Sequence, residues 1–278
     1  MQNWGVQMNF DKYLDLISQE KYIEATEYKS SCIPNTLYKY FPLDDDATKN
    51  ELRLSTLKRG EIYLSTLEQF NDPFEGKAFV FEDDASAPKG LQKADCQSFI
   101  EQINSHARIF CFANPKEKHQ NMPMWAYYAN NHRGFCVEYK MTAQQKTFLY
   151  PVSYNPCRVV GNVFMGNLIM GIVEMVKDGK DSSQMSGEVS VYNHLAYLSL
   201  TCKHISWQHE QEVRALVPTQ YGVYFPAIPS KIFVGMNCST EHEEILLDIA
   251  HQFSGCQVFK MQEASEESGF YLKETQLL

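Results

Sequence analysis

Three short stretches of this chain concentrate side chains that can do chemistry. In Trp207-Gln208-His209-Glu210-Gln211-Glu212-Val213-Arg214, two carboxylates and a guanidinium stand two residues apart. Residues two apart on an extended strand share a face, so Glu210, Glu212 and Arg214 would form one row of charge. Such a row is costly to bury unpaired, and is either a solvated ladder or the wall of a polar cleft. Carboxylates so placed can bind a sugar hydroxyl and stabilise a cation forming beside them. Arg214 would orient Glu212 through a charge-assisted hydrogen bond and keep it ionised. Glu212 is therefore the expected principal carboxylate, with Glu210 as its companion.

The second stretch, Phe70-Asn71-Asp72-Pro73-Phe74-Glu75-Gly76, joins two carboxylates to two aromatics across a proline turn. Two readings stay open. Either Asp72 caps local amides and the turn is structural, or Asp72 and Glu75 face a ligand while Phe70 and Phe74 anchor the turn in the core. The third stretch, Met124-Trp125-Ala126-Tyr127-Tyr128-Ala129, places Trp125 and Tyr128 three apart, on one helical face. Such rings are core, or platforms for a flat ligand. His132 and Arg133 follow in a turn, where Arg133 could meet a phosphate. A looser pattern, Glu75-Gly76-Lys77 with Asp72, Asp45 or Asp46 upstream, imitates the D…E-x-K metal site of nucleases.

The bulk properties narrow the class. The chain has 278 residues, 44% hydrophobic and 21% charged, as in ordinary globular proteins. A net charge of −9 without a basic run argues against non-specific binding to DNA. Nothing at the start reads as a secretion signal. The most apolar window, 159–176, carries Asn162, Asn167 and Glu174 and reads as a buried helix, not a membrane span. A cytoplasmic location is expected. The eight scattered cysteines include no C-x-x-C pair and read as buried thiols. Cys202-Lys203-His204 could offer two metal ligands, but no second pair completes a site, and no metal is expected.

The elements that must position these residues alternate irregularly. A helix is expected over 9–29, then a strand at 36–41, a helix after Asn50 ending at Gly60, and a strand at 61–66. Further strands are expected at 79–82, 107–112, 135–140, 152–154, 212–217 and 231–235, and near both 256–261 and 270–274. Helices are expected at 93–105, 124–131 and 240–253, and over most of 160–203. The segments 83–90 and 114–123 read as loops. Mixed order without strict alternation predicts an α+β fold: a single domain with a central mixed sheet, split or continuous, flanked by helices. Residues 1–33 form a helical extension, and 34–278 form the α+β domain with a mostly helical insertion at about 160–203.

Taken together, Leu37 to Tyr40, Ile62 to Ser65, Phe70 to Glu75, Cys111-Phe112, Met124 to Ala129, Gly134 to Tyr139, Val152 to Tyr154 and Trp207 to Arg214 resemble an uncharacterised bacterial family. It is a domain of unknown function often found near mobile or defence genes. Tyr127 stands where that family often has His, and Lys77 lies outside its pattern.

The strand–helix–strand opening, the Leu64-Ser65-Thr66 strand and the late Glu210-Gln211-Glu212 also resemble the layout of ADP-ribosyltransferases. That resemblance implies NAD as substrate. Tyr38, Lys39, Ser65, Asp72, Glu75, Trp125, Tyr128 and Arg214 would line the nucleotide site, with Glu212 and Glu210 as catalytic carboxylates. It also implies a role as toxin or phage-defence effector, with an unidentified macromolecule as acceptor. The competing reading is a non-catalytic domain whose pocket senses a nucleotide or a partner protein. Convergence of Tyr38, Ser65, Trp125 and Glu212 on one cleft separates the two.

Overall fold

The computed structural model of the protein describes residues 8–82, 92–114, 121–181, 187–264 and 271–278. Most of the loops expected at 83–90 and 114–123 lies outside them. The helix expected over 9–29 is two, α1 (Phe10–Ser18) and α2 (Tyr22–Ser31). Asn9 caps α1 by accepting from the Lys12 amide, and Glu20, at φ 59°, turns the chain between the two. β1 (Thr36–Phe41) follows, then α3 (Ala47–Lys58). α3 starts earlier than expected, because Asp46 and not Asn50 supplies the cap, accepting from the Lys49 amide. Asn50 is buried instead, its amide donating to the Asp44 carbonyl. Gly60, at φ +68°, stops the helix as expected.

The chain continues through β2 (Glu61–Tyr63), β3 (Phe79–Val80), α4 (Lys93–Ser105), β4 (Ala107–Ala113), α5 (Met122–Tyr128) and β5 (Phe135–Lys140). Next come α6 (Ala143–Lys146), β6 (Leu149–Pro151), β7 (Ser153–Asn155), β8 (Val159–Val160), α7 (Asn162–Lys177) and α8 (Gly187–Leu198). β9 (Cys202–His204), β10 (Glu212–Pro218), β11 (Tyr224–Pro226), β12 (Pro229–Val234), α9 (Thr240–Ala250), β13 (Gln257–Glu263) and β14 (Leu272–Gln276) complete it.

Eight strands form one sheet in the order β14-β13-β12-β5-β1-β4-β10-β6. Only β12 and β13 run parallel within it, so the sheet is mixed, in a single α+β domain. Its largest core cluster joins Leu37, Val137, Phe112 and Val213 to Leu54 and Leu57 of α3 and Leu246 and Ile249 of α9. On the opposite face, Tyr38, Tyr40, Cys136 and Phe233 pack on Trp125 of α5. Opposite faces of adjacent residues on β1 thus serve different layers, as strand alternation requires.

One irregularity matters for function. β1 and β4 share a single registered pair, Tyr38 with Ala113. Beyond it β1 stays with β5 as far as Phe41, while β4 follows β10 back to Ala107. The two strands part as a fork. Residues after β2 enter it, with Ser65 bridging Ile109 through paired hydrogen bonds of 2.8 and 2.9 Å.

The N-terminal helices are not a free extension. α1 and α2 pack on α8, with Tyr13 edge-on to His194 at 5.9 Å and the Tyr22 hydroxyl 3.0 Å from that of Ser190. They form one helical lobe with α7, α8 and α4. The apolar window becomes α7, and among the described residues no helix is long and apolar enough to cross a membrane.

Candidate functional site

Two of the three charges expected on one strand are there. Glu212 and Arg214 lie on the same face of β10 and are buried. Glu210 is not on the strand. Residues Ile205–Glu210 coil into a 3₁₀ turn, and Gln211 takes a left-handed conformation at φ 45° before β10 begins. Glu210 therefore enters the cluster from the turn. The Glu212 amide is fixed by donation to the Tyr154 hydroxyl at 2.8 Å.

The partner of β10 is the proline turn. Asp72 Oδ1 accepts from the Phe74 amide at 2.9 Å, closing an Asx turn. Gly76 completes it at φ +67°, where an added Cβ would lie 2.9 Å from Asn104 Nδ2. That amide donates to the Gly76 carbonyl. Glu75 is thereby aimed at Arg214, whose Nη1 and Nη2 donate to its two oxygens at 2.7 and 2.8 Å. Arg214 Nε and Nη2 also donate to Glu212 at 2.8 and 3.2 Å, and Nη1 donates to the Leu200 carbonyl. The Phe70 ring covers the guanidinium, its centroid 5.4 Å from Cζ.

Lys203, on β9, completes the cluster. Its Nζ stands 2.6 Å from Glu210, 3.3 Å from Glu212 and 3.5 Å from Glu75. The Tyr128 hydroxyl donates to the other oxygen of Glu210. Three carboxylates thus meet two cations in one ion-paired, buried group. The electrostatics separates the acids. Burial alone would raise the Glu212 carboxyl, but Arg214 and then Lys203 outweigh it and lower the pKa to about 2. Burial and the neighbouring Glu212 charge raise that of Glu210. Burial would lower the Lys203 ammonium, yet Glu212 and Glu210 together hold it raised. The Cys111 thiol is pushed up by burial and then by Glu212.

This group floors a cavity of about 550 Å³ that fills the fork between β1 and β4. Lys203, Glu210 and Glu212 line it, as do Lys49, Leu52 and Arg53 of α3. Ser65, Phe70, Asn71, Phe110 and Tyr128 also line it. Lys39 sits in its wall with Nζ 4.6 Å from the Phe110 centroid, and has no carboxylate within ion-pair distance among the described residues.

Of the residues singled out in sequence, Lys39, Ser65, Tyr128, Glu210 and Glu212 line the cavity, and Glu75 and Arg214 lie directly behind the floor. Tyr38 borders the cavity, but its hydroxyl donates to Glu138 at 2.8 Å, among the core residues packed on α5. Others are corrected. Trp125 is 0% exposed and lies outside the lining, set edge-on to Tyr40 at 5.3 Å and stacked on His132 at 5.8 Å. Its indole is core because α5 turns that face onto the sheet. Asp72 is buried away from the cavity as a turn cap. Phe74 does not plug the core. It is 56% exposed, 5.7 Å from Arg158. Arg133 is exposed after three left-handed residues, 130–132, and does not reach the cavity.

The nuclease pattern is not assembled either, since Lys77 Nζ donates to the Pro73 carbonyl while Glu75 is given to Arg214. Lys203 was missed as a site residue. Its sequence signal is weak, because Lys203 stands among Ser199, Thr201, His204 and Ser206, and only its burial, which implies a partner, marks it out.

No family model, no curated protein and no solved structure matches this chain. The ADP-ribosyltransferase-like layout expected from the sequence finds no support among them.

Proposed function

We propose that the fork cavity binds NAD and that its acidic floor promotes cleavage of the bond between ribose and nicotinamide, as in an ADP-ribosyltransferase or NAD glycohydrolase. One observation carries the reading: three buried carboxylates face two cations at the floor of a cavity large enough for a nucleotide. The surplus negative charge suits a site where positive charge develops. When the glycosidic bond breaks, its electron pair leaves with nicotinamide, and the ribose C1′ becomes oxocarbenium-like. A carboxylate that stays ionised, as the lowered pKa of Glu212 implies, stabilises that state without reorganising. Water or an acceptor nucleophile then attacks C1′ and loses its proton. Lys39 is placed to meet the phosphates, and Phe110 and Tyr128 offer ring faces.

A second reading is a sensing pocket without turnover. It is favoured by the Arg214 guanidinium, which already holds both oxygens of Glu212. One experiment separates the two. Purified protein is incubated with NAD, binding is measured by calorimetry, and nicotinamide is quantified, with and without cell lysate as acceptor source. Release supports the enzyme, binding without release supports an NAD sensor, and no binding rejects NAD as the ligand in either reading.

A further inference from the structure

The acidic floor has two layers held by different cations. Arg214 pairs with Glu75 and Glu212. Glu210 is reached from the other side, by Lys203 Nζ at 2.6 Å and the Tyr128 hydroxyl. Among the described residues, Lys203 is the cation paired with Glu210, and its ammonium also touches Glu75 and Glu212. Its backbone is fixed by the pairing of β9 with β7, which sets Lys203 opposite Tyr154, the residue whose hydroxyl accepts from the Glu212 amide. The Trp207 ring closes the remaining side, 4.9 Å from Nζ. A buried carboxylate beside a like charge takes up a proton unless a cation opposes it. Glu210 has Glu212 as that like charge, and Lys203 as that cation.

We propose that Lys203 is a positioning residue of the cavity: its ammonium holds the Glu210 carboxylate charged and aimed at the cavity, so that a ligand meets Glu210 as an anion. Removing Lys203 leaves Glu210 with a phenol and an adjacent carboxylate, and Glu210 becomes neutral. The anion that Glu210 presents to the cavity is then lost, although Glu75 and Glu212 stay charged and held by Arg214. The inference rests on the nucleotide reading only for its effect on turnover. The charge state of Glu210 is read without any ligand.

The test is a carbon-13 NMR titration of the glutamate carboxyls, with Glu210→Gln assigning the signal. In Lys203→Met the Glu210 midpoint should rise by at least about one pH unit, as loss of an adjacent opposite charge requires. Lys203→Arg should return it towards the wild-type value. An unmoved midpoint in folded Lys203→Met overturns the proposal. If Lys203→Met does not fold, Lys203→Met/Glu210→Gln should fold, since both partners of the buried pair are then removed. Failure of that rescue overturns it as well. Where wild type releases nicotinamide, its pH profile in Lys203→Met should move with the titration. A shifted midpoint in a protein that neither binds nor cleaves NAD supports Lys203 and rejects the nucleotide reading.

Discussion

Arg214 and Glu75, 139 residues apart in sequence, are joined by two parallel hydrogen bonds of 2.7 and 2.8 Å in the interior of the protein. The same guanidinium turns its Nε edge to Glu212. One planar cation therefore ties the proline turn to β10 and closes the back of the cavity. Bidentate pairing of this kind depends on the fixed fork of arginine.

Replacing Arg214 should be the most damaging single change in the cluster. Arg214→Met strands Glu75 and Glu212 in the interior, and breaking such a pair costs about 3–5 kcal/mol. Arg214→Lys should recover little, because a point charge cannot serve both carboxylates edge-on. Chemical denaturation of the three proteins measures this. Equal midpoints for Lys and wild type would contradict it.

Glu212→Gln should abolish nicotinamide release, a fall of at least about 100-fold if the carboxylate stabilises the transition state. The variant keeps the shape but weakens the Arg214 pair, so a stability loss of about 1–3 kcal/mol is expected as well. Turnover at the parent rate in a folded Gln variant would make Glu212 a structural residue.

Stability should fall in acid through Glu212. Its folded pKa of about 2 lies below the unfolded value near 4.3. The stabilisation is complete above about pH 4.3 and is lost as the pH drops towards 2. Unfolding midpoints between pH 6 and 2 should therefore decline more steeply in wild type than in Glu212→Gln.

Lys29 should give a slope of the same sign in a different pH range. It is 1% exposed, its ammonium donates to the Thr147 carbonyl and lies 3.6 Å from the Tyr150 centroid, and no carboxylate pairs with it among the described residues. Burial lowers its pKa to about 7, against about 10.4 in the unfolded chain. Between those values the unfolded state binds the extra proton, so stability rises with pH from 7 to 10. Lys29→Met should remove that rise, on the order of 2–4 kcal/mol, and stabilise the protein at pH 6. Denaturant midpoints at pH 6 and 9 decide it.

The two phenylalanines of the proline turn should differ. Phe74→Ala, at an exposed ring, should stay within about 0.5 kcal/mol. Phe70→Ala uncovers Arg214 and opens the cavity floor to water, so it should cost more and weaken any ligand. Equal effects in thermal unfolding would argue against the ring's shielding role.

Much of this protein is local and was legible in its sequence. The strands at 36–41, 107–113, 135–140 and 212–218 and the helix from Thr240 announce themselves by alternation, by caps, and by Gly60 and Gly134, because φ, ψ preferences and burial patterns act over a few residues. The turn at Pro73 and the shared face of Glu212 and Arg214 follow from the same short-range rules. Other features depend on distant segments. Whether Trp125 faced core or cavity turned on which side of α5 met the sheet, and Asp46 rather than Asn50 became the cap because Asn50 was drawn inward to Asp44. Lys203 acquired its role only when β9, the turn at 205–210 and the proline turn met, since no local rule says which acids will neutralise a buried cation. The fork between β1 and β4 is of the same kind: each strand keeps its better partner, and the gap that remains becomes the cavity.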